Sequence, residues 1–214
     1  VMGHQNPDED CVSSMIAMGL FLNKFSKTVY LLFPEKINEN YQYLLNICKY
    51  NAIDILQTGE NLPCDISTVI FMDTPKPVMR EIFPDSKNVY SNNNILKIEI
   101  DHHLGADSEY IGDPGYCFVD EASSASELVG LLAFKLKNRL DLIESYNIQD
   151  LFSRNFVLAV LTGIIGDSKM GKYLKTRRER WFYHLFSNMF NEMLTNKTRK
   201  DSNNFSTMKE VFTE

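Results

Sequence analysis

The sequence predicts an α/β fold, a mostly parallel sheet with helices on both faces, and three observations carry that expectation. Short apolar runs rich in β-branched residues alternate with longer stretches of helical period, the pattern of a parallel sheet covered by helices. Acidic and imidazole residues fall where the apolar runs stop, and the carboxyl edge of an open parallel sheet is where ligands bind. The chain has 214 residues, 44% hydrophobic and 23% charged, enough for one large or two small folded units with a sizeable core.

The elements follow in order. A helix is expected over residues 11–25, then a strand at "TVYLLF" (28–33), a helix over 38–50 and a weaker strand at "AIDIL" (52–56). Strands at "STVIFMD" (67–73) and "ILKIEID" (95–101) come next. Helices fit 124–139, 148–166 and 176–195, and Ser123-Ser124 ahead of Glu127 looks like a capping-box start for the first of these. Only Val1-Met2-Gly3 precede a polar cluster, whereas a buried strand usually runs about five or six residues. The expectation is a chain cut from a longer one, with Val1 emerging from the middle of a sheet strand. The Asn-, Lys- and Ser-rich stretch 196–214 reads as a polar tail or the start of a linker after a domain spanning 1–195.

A net charge of −6 argues against a protein whose main task is holding duplex DNA or long RNA, because phosphate binding favours a basic face. Cys11, Cys48, Cys64 and Cys117 form no C-x-x-C pair and no tight cluster, so reduced thiols in a cytoplasmic protein are the simple reading. The longest apolar runs, "MIAMGLFL" and "FVLAVLTGIIG", fall short of the roughly 20 residues of a membrane span, and no signal peptide is visible.

The chemistry is concentrated in four places. "GHQNPDED" (3–10) crowds His4, Asp8, Glu9 and Asp10, which fits a solvated acidic turn, a helix N-cap by Asp8 or Asp10, or a metal site. Asp73 closes "VIFMD" and alone would read as the cap of a following helix. Asp101, His102 and His103 close "IEIDHH", where one histidine could be a core group and the other a surface group. Asp167 follows "LAVLTGIIG" and alone would read as a turn residue. These separate readings are independent of one another, whereas a metal centre explains all of them together. If His4, Asp8, Asp10, Asp73, His102 and Asp167 meet, their repulsion in a partly dry cleft costs several kcal/mol unless cations neutralise it. Four carboxylates and two imidazoles suit two divalent ions, and this hard donor set favours manganese, magnesium, iron or cobalt over structural zinc. Two such ions are a recurrent device for displacement at phosphorus, with Asp73 the choice for bridging carboxylate and His103 for donor to the leaving oxygen.

In that order, His-x-Asn-Pro-Asp-x-Asp, the lone Asp73, "DHH" at 101–103 and "GIIGDS" at 163–168 resemble the four motifs of the DHH phosphoesterases. That superfamily includes nano-RNases with pAp phosphatase activity, cyclic di-AMP phosphodiesterases, manganese-dependent family II pyrophosphatases and single-strand exonucleases. The resemblance implies a Rossmann-like, doubly wound catalytic DHH domain. It implies a first metal on His4, Asp8 and the bridging Asp73, and a second on Asp10, Asp73, His102 and Asp167. Asp101 would support the site from behind, and His103 would face the substrate phosphate. Two features depart from the pattern: Glu9 stands where many members have Gly, and Ser13-Ser14 where many have Gly-Ser.

The glycine-rich, His-containing motif of the family's second domain does not occur after residue 168, so a C-terminal DHHA1-type substrate-binding domain is expected to be missing from this chain. Lys172, Lys175, Arg177, Arg178 and Arg180 read either as a phosphate-attracting edge or as the solvated face of a helix that carries Trp181 and Phe182 inward. "DEASSASELVGLL" (120–132) resembles the nano-RNase and cyclic di-AMP branch more than the pyrophosphatases. The expected function is hydrolysis of short nucleotides (dinucleotides, nanoRNA, pAp or cyclic di-AMP products) by a metal-bridging hydroxide, in the cytoplasm, by a protein with no membrane partner for which a homodimer is compatible. Manganese is the first choice of metal. The alternatives are a manganese-dependent inorganic pyrophosphatase and a non-catalytic nucleotide or metal sensor. Retention of His4, Asp8, Asp10, Asp73, His102, His103 and Asp167 argues against the sensor.

Overall fold

The computed structural model describes residues 1–34, 37–75, 92–105 and 109–200, the last five of these as backbone only. Its elements are α1 (Glu9–Lys24), β1 (Tyr30–Phe33), α2 (Gln42–Tyr50, entered through a 3-10 turn at Glu39–Tyr41), β2 (Asp54–Gln57), β3 (Thr68–Met72), β4 (Leu96–Asp101), β5 (Cys117–Val119), α3 (Ala125–Leu136), α4 (Leu140–Ser145), α5 (Arg154–Ser168) and α6 (Arg177–Lys200). The parallel α/β class expected from the sequence is what forms. The stretch after Thr195 lies outside the described residues, apart from the α6 backbone that continues to Lys200.

Strand pairing is parallel throughout: β1 with β2, and β3 with β4 with β5. Met2 joins the two groups, bridging in parallel to Leu32 on one side and Phe71 on the other. Its N–H donates to Ile70 O at 2.9 Å, and its carbonyl accepts from Met72 N at 2.8 Å. The first residues therefore run through the middle of the sheet, between β1 and β3, as expected of Val1.

Alternation along the strands divides the core. Leu31, Phe33, Ile70 and Met72 face a large cluster shared with α1, α2, α3, α5 and α6, while Met2, Leu32, Val69 and Phe71 face a smaller one with Ile95 and Ile111. Every residue of α1 from Asp10 to Phe21 is buried, which makes it the central helix of its layer. Its tight packing on α5 depends on glycine, because a Cβ at Gly166 would stand 2.6 Å from Glu9 Cβ.

The capping box expected at Ser123-Ser124 formed, and a second one, not anticipated from the sequence, starts α6. Ser124 Oγ accepts from Glu127 N at 3.0 Å, and Glu127 returns bonds to Ser123 N and Oγ at 2.9 and 2.7 Å. At the start of α6, Thr176 Oγ1 accepts from Glu179 N at 3.1 Å, and the buried Glu179 carboxylate accepts from Lys175 N and Thr176 N.

Several boundaries differ from expectation. The helix expected over 148–166 starts only at Arg154, and β5 and α4 had no counterpart among the expected elements. Phe182 is buried as anticipated, but Trp181 is 46% exposed and rests edge-on against Phe134 with 5.1 Å between ring centroids. No helix among the described residues is long and apolar enough to cross a membrane.

Candidate metal centre

Each predicted polar residue sits where an element turns, at the carboxyl edge of the sheet. His4 follows the central strand and is buried. Asp8 is the N-cap of α1, its Oδ1 accepting from Cys11 N at 3.1 Å, and the same oxygen lies 4.0 Å from His4 Nε2. The N-cap and metal-ligand readings of this stretch are thus compatible in a single residue.

Asp10 is fully buried in the first turn of α1 and points across at the start of α3. Its Oδ2 accepts from Ala125 N at 2.6 Å and its Oδ1 from Ser126 N at 3.0 Å, so two orphan donors of a helix N-terminus hold the carboxylate. Asp73 follows β3 with a left-handed backbone, φ 52°, and is 2% exposed. Non-glycine residues in that region are uncommon and gather at functional sites. Asp73 Oδ2 lies 3.8 Å from His4 Nε2, while Oδ1 lies 3.5 Å from both His102 Nε2 and His103 Nδ1. One carboxylate therefore faces both halves of the cluster.

His102 follows β4 with its Nδ1 3.3 Å from Ala122 O, which turns Nε2 toward the acids. From Nε2 the distances are 3.2 Å to Asp167 Oδ2, 3.5 Å to Asp73 Oδ1 and 3.9 Å to Asp10 Oδ2. Asp167 arrives from the last turn of a helix, α5, rather than from a strand end or a turn. His103 is the outermost member, its side chain 44% exposed, with Nδ1 2.7 Å from the buried Asp101 Oδ1.

The sequence-predicted groups therefore converge. Donor atoms of Asp73, Asp101, His102 and His103 lie within 4.8 Å of one another, as do those of Asp10, His102 and Asp167. A third such set, His4, Cys11 and Asp73, contains a residue that the sequence reading assigned only as a reduced thiol. Its adjacency to Asp10 in "DEDC" was the available signal. The backbone groups of Ala122, Ala125 and Ser126 were also missed, since nothing local marks a backbone atom as the partner of a residue 20 positions away, as for Ala122 and His102, or 115 and 116 away, as for Ala125 and Ser126 with Asp10.

The electrostatics show a site short of positive charge. Burial, then the neighbouring Asp73 charge, pushes the Asp10 carboxyl up to about 8. Burial alone would push His102 down, yet the Asp167 and Asp73 carboxylates beside Nε2 and the charge of Asp10 hold it up at about 11. The bond to Asp101 raises His103 as well. Burial, then Asp73, pushes the Cys11 thiol well above its ordinary range. Asp73 Oδ1, His102 Nε2 and His4 Nδ1 are buried without a hydrogen-bond partner. Unmet buried groups of this kind need an explanation. A donor set of carboxylate oxygens and imidazoles, with Asp73 shared between two groups, fits divalent cations.

The family model for the DHH family, N-terminal domain, matches residues 1–164. Asp167 lies beyond that match, so its place in the cluster rests on the geometry. The fold is similar to that of an exopolyphosphatase-related protein from Bacteroides fragilis, at 21% identity and TM-score 0.57, covering 96% of this chain and 56% of that one. It is also similar to a Methanococcus jannaschii protein provisionally assigned as a family II inorganic pyrophosphatase, at 16% identity and TM-score 0.57, covering 99% and 58%. The chain spans little more than half the length of either protein, and at these identities the likeness is one of fold. No curated protein sequence matches the chain.

Proposed function

We propose that this chain, which belongs to the DHH family, carries the catalytic site of a metal-dependent phosphohydrolase that cleaves phosphoester bonds of short nucleotides. The observation that carries the reading is Asp73, which turns one oxygen to His4 and the other to His102 and His103. In this reading His4, Asp8 and Asp73 hold a first divalent cation, and Asp10, Asp73, His102 and Asp167 hold a second. Manganese is our choice, with magnesium, cobalt and iron as alternatives. Bound there, the cations would supply positive charge for the phosphoryl oxygens and acidity for a water.

The chain's own residues do the rest. Asp101 Oδ1 faces Nδ1 of His103 at 2.7 Å and favours the charged form of the ring, leaving the other ring nitrogen of this half-exposed side chain for the substrate. His103 then donates to the leaving ribose oxygen as the ester bond breaks. Ala122 O fixes the ring of His102, as supporting groups commonly do for ligating histidines. The N-terminus of α3 neutralises part of the charge on Asp10. Coverage of little more than half of each structural neighbour supports a second, substrate-gripping domain as part of the working unit.

The substrate class rests on the resemblance of "DEASSASELVGLL" to the nano-RNase and cyclic di-AMP branch. The name of the Methanococcus jannaschii neighbour makes pyrophosphate the competing substrate. Turnover of a 5′-phosphorylated dinucleotide, pAp and pyrophosphate by the manganese-loaded full-length protein separates the readings. Preference for either nucleotide supports ours, and pyrophosphate as the sole substrate overturns it. Cation uptake without hydrolysis of any of the three would favour a sensor.

A further inference from the structure

The short segment from Asp120 to Glu127 serves two predicted ligands at once. Its Ala122 carbonyl lies 3.3 Å from Nδ1 of His102, and its Ala125 and Ser126 N–H groups donate to Asp10. Both ligands belong to the Asp10, His102 and Asp167 group, so the position of that group depends on this segment.

One residue from outside ties the segment's two ends together. Arg178, in the first turns of α6, donates from Nη1 to Asp120 Oδ2 at 2.7 Å and from Nε to Glu127 Oε1 at 3.2 Å. Glu127 is wholly buried, and its other oxygen holds Ser123 N and Oγ. A buried carboxylate is costly without a counter-charge, and Arg178 provides one. The same guanidinium holds the Asp120 carboxyl below its ordinary range. Spanning two acids in this way uses the planar fork of arginine, which a lysine ammonium does not reproduce. Of the basic cluster at 172–180, Arg178 is thus turned to an internal task rather than to solvent or phosphate.

We propose that Arg178 is a positioning residue for the second cation: by clamping Asp120 to Glu127 it fixes the segment that aims His102 and Asp10. It touches neither ligand directly and has no part in the first position on His4 and Asp8. The proposal rests on the two-cation reading above and adds to it a control that acts on one position alone.

The test is manganese binding, by titration calorimetry and by metal content after gel filtration, on wild type, Arg178→Ala, Arg178→Lys and Asp120→Asn. Wild type is expected to bind two ions per chain. In Arg178→Ala one of them weakens by about 10–100-fold, the usual effect of losing a group that orients a ligand, while the other changes by less than about twofold. Arg178→Lys restores part of the loss, and Asp120→Asn, which breaks one arm of the clamp, weakens the same position to a smaller degree. Equal weakening at both positions, or none at either, overturns the proposal. If circular dichroism shows Arg178→Ala unfolded, Asp120→Asn decides: one-sided loss sustains the proposal, and two-sided or no loss removes it. Wild type that takes up no manganese would overturn the two-cation reading and the proposal with it, a result distinct from variants that merely match wild type.

Discussion

Gly163 stands so close to Asp10 that the first carbon of any side chain there would lie 2.5 Å from Asp10 Oδ1. The same carbon would also collide with Ser126 Oγ. Gly163 is one helical turn before Asp167 on α5, so its bareness lets that helix bring Asp167 up to the cluster. An exposed helical Gly→Ala exchange normally gains about 1 kcal/mol from propensity, but overpacking a filled site costs about 1–3 kcal/mol or more. Gly163→Ala is therefore expected to lower the melting temperature and to weaken manganese at the Asp10, His102 and Asp167 position. A higher melting temperature with unchanged manganese content would contradict this.

Asp73→Asn keeps the side-chain shape and a residue type that tolerates φ 52°, while removing the charge that both groups share. Turnover should fall below detection, and both cations should weaken together when bound manganese is counted. Loss of only one ion would show that Asp73 does not bridge.

His103→Ala should leave manganese content near the wild-type value and slow the chemical step by roughly 10²–10⁴. Asp101→Asn tests the same residue through its partner. The Asp101 carboxylate raises His103, so its loss lets the ring deprotonate at lower pH and moves the alkaline limb of the rate profile down. A collapse of metal content in His103→Ala would make His103 a ligand instead.

Stability should depend on pH differently with and without cations. Asp10 ionises near 3.8 when unfolded and about 8 when folded, so between those values the folded state holds the extra proton and stability falls as pH rises. His102, at about 11 against an ordinary 6.5, contributes stability that is full below 6.5 and is lost as pH rises toward about 11. Both act in one direction, so in chelator the melting temperature should drop from about pH 5 to about pH 9. Manganese held at the proposed site is expected to displace those protons and to bind more tightly as pH rises, which offsets the drop. Parallel curves in manganese and in chelator would place the cations elsewhere.

Much of the candidate site was legible because the side chains best suited to a hard divalent cation are carboxylates and imidazoles, and such residues stand out where an apolar run ends. Asp73, Asp101, His102 and His103 were visible in this way, and Asp8 and Asp10 as a crowded turn. Strands β1, β3 and β4 were visible as apolar runs with β-branched residues. Three-residue β5 was not, because "CFV" carries too little period and forms through its pairing with β4. The α3 grip on Asp10 spans 115 positions and is made by backbone atoms, so side-chain pattern says nothing of it. Trp181 lies half outside because the apolar face of α6 is centred on Phe182 and Phe186, and Trp181 falls at its margin.

The threading of the first residues between β1 and β3 has a consequence for how the protein matures. His4 reaches the rim only when strands from residues 30–33 and 68–72 have closed on either side of Met2, and Asp167 joins only after α5 has docked on α1. On the proposed two-cation site, ion uptake is therefore expected only once this topology is complete, so that a mispaired chain would be silent to the metal.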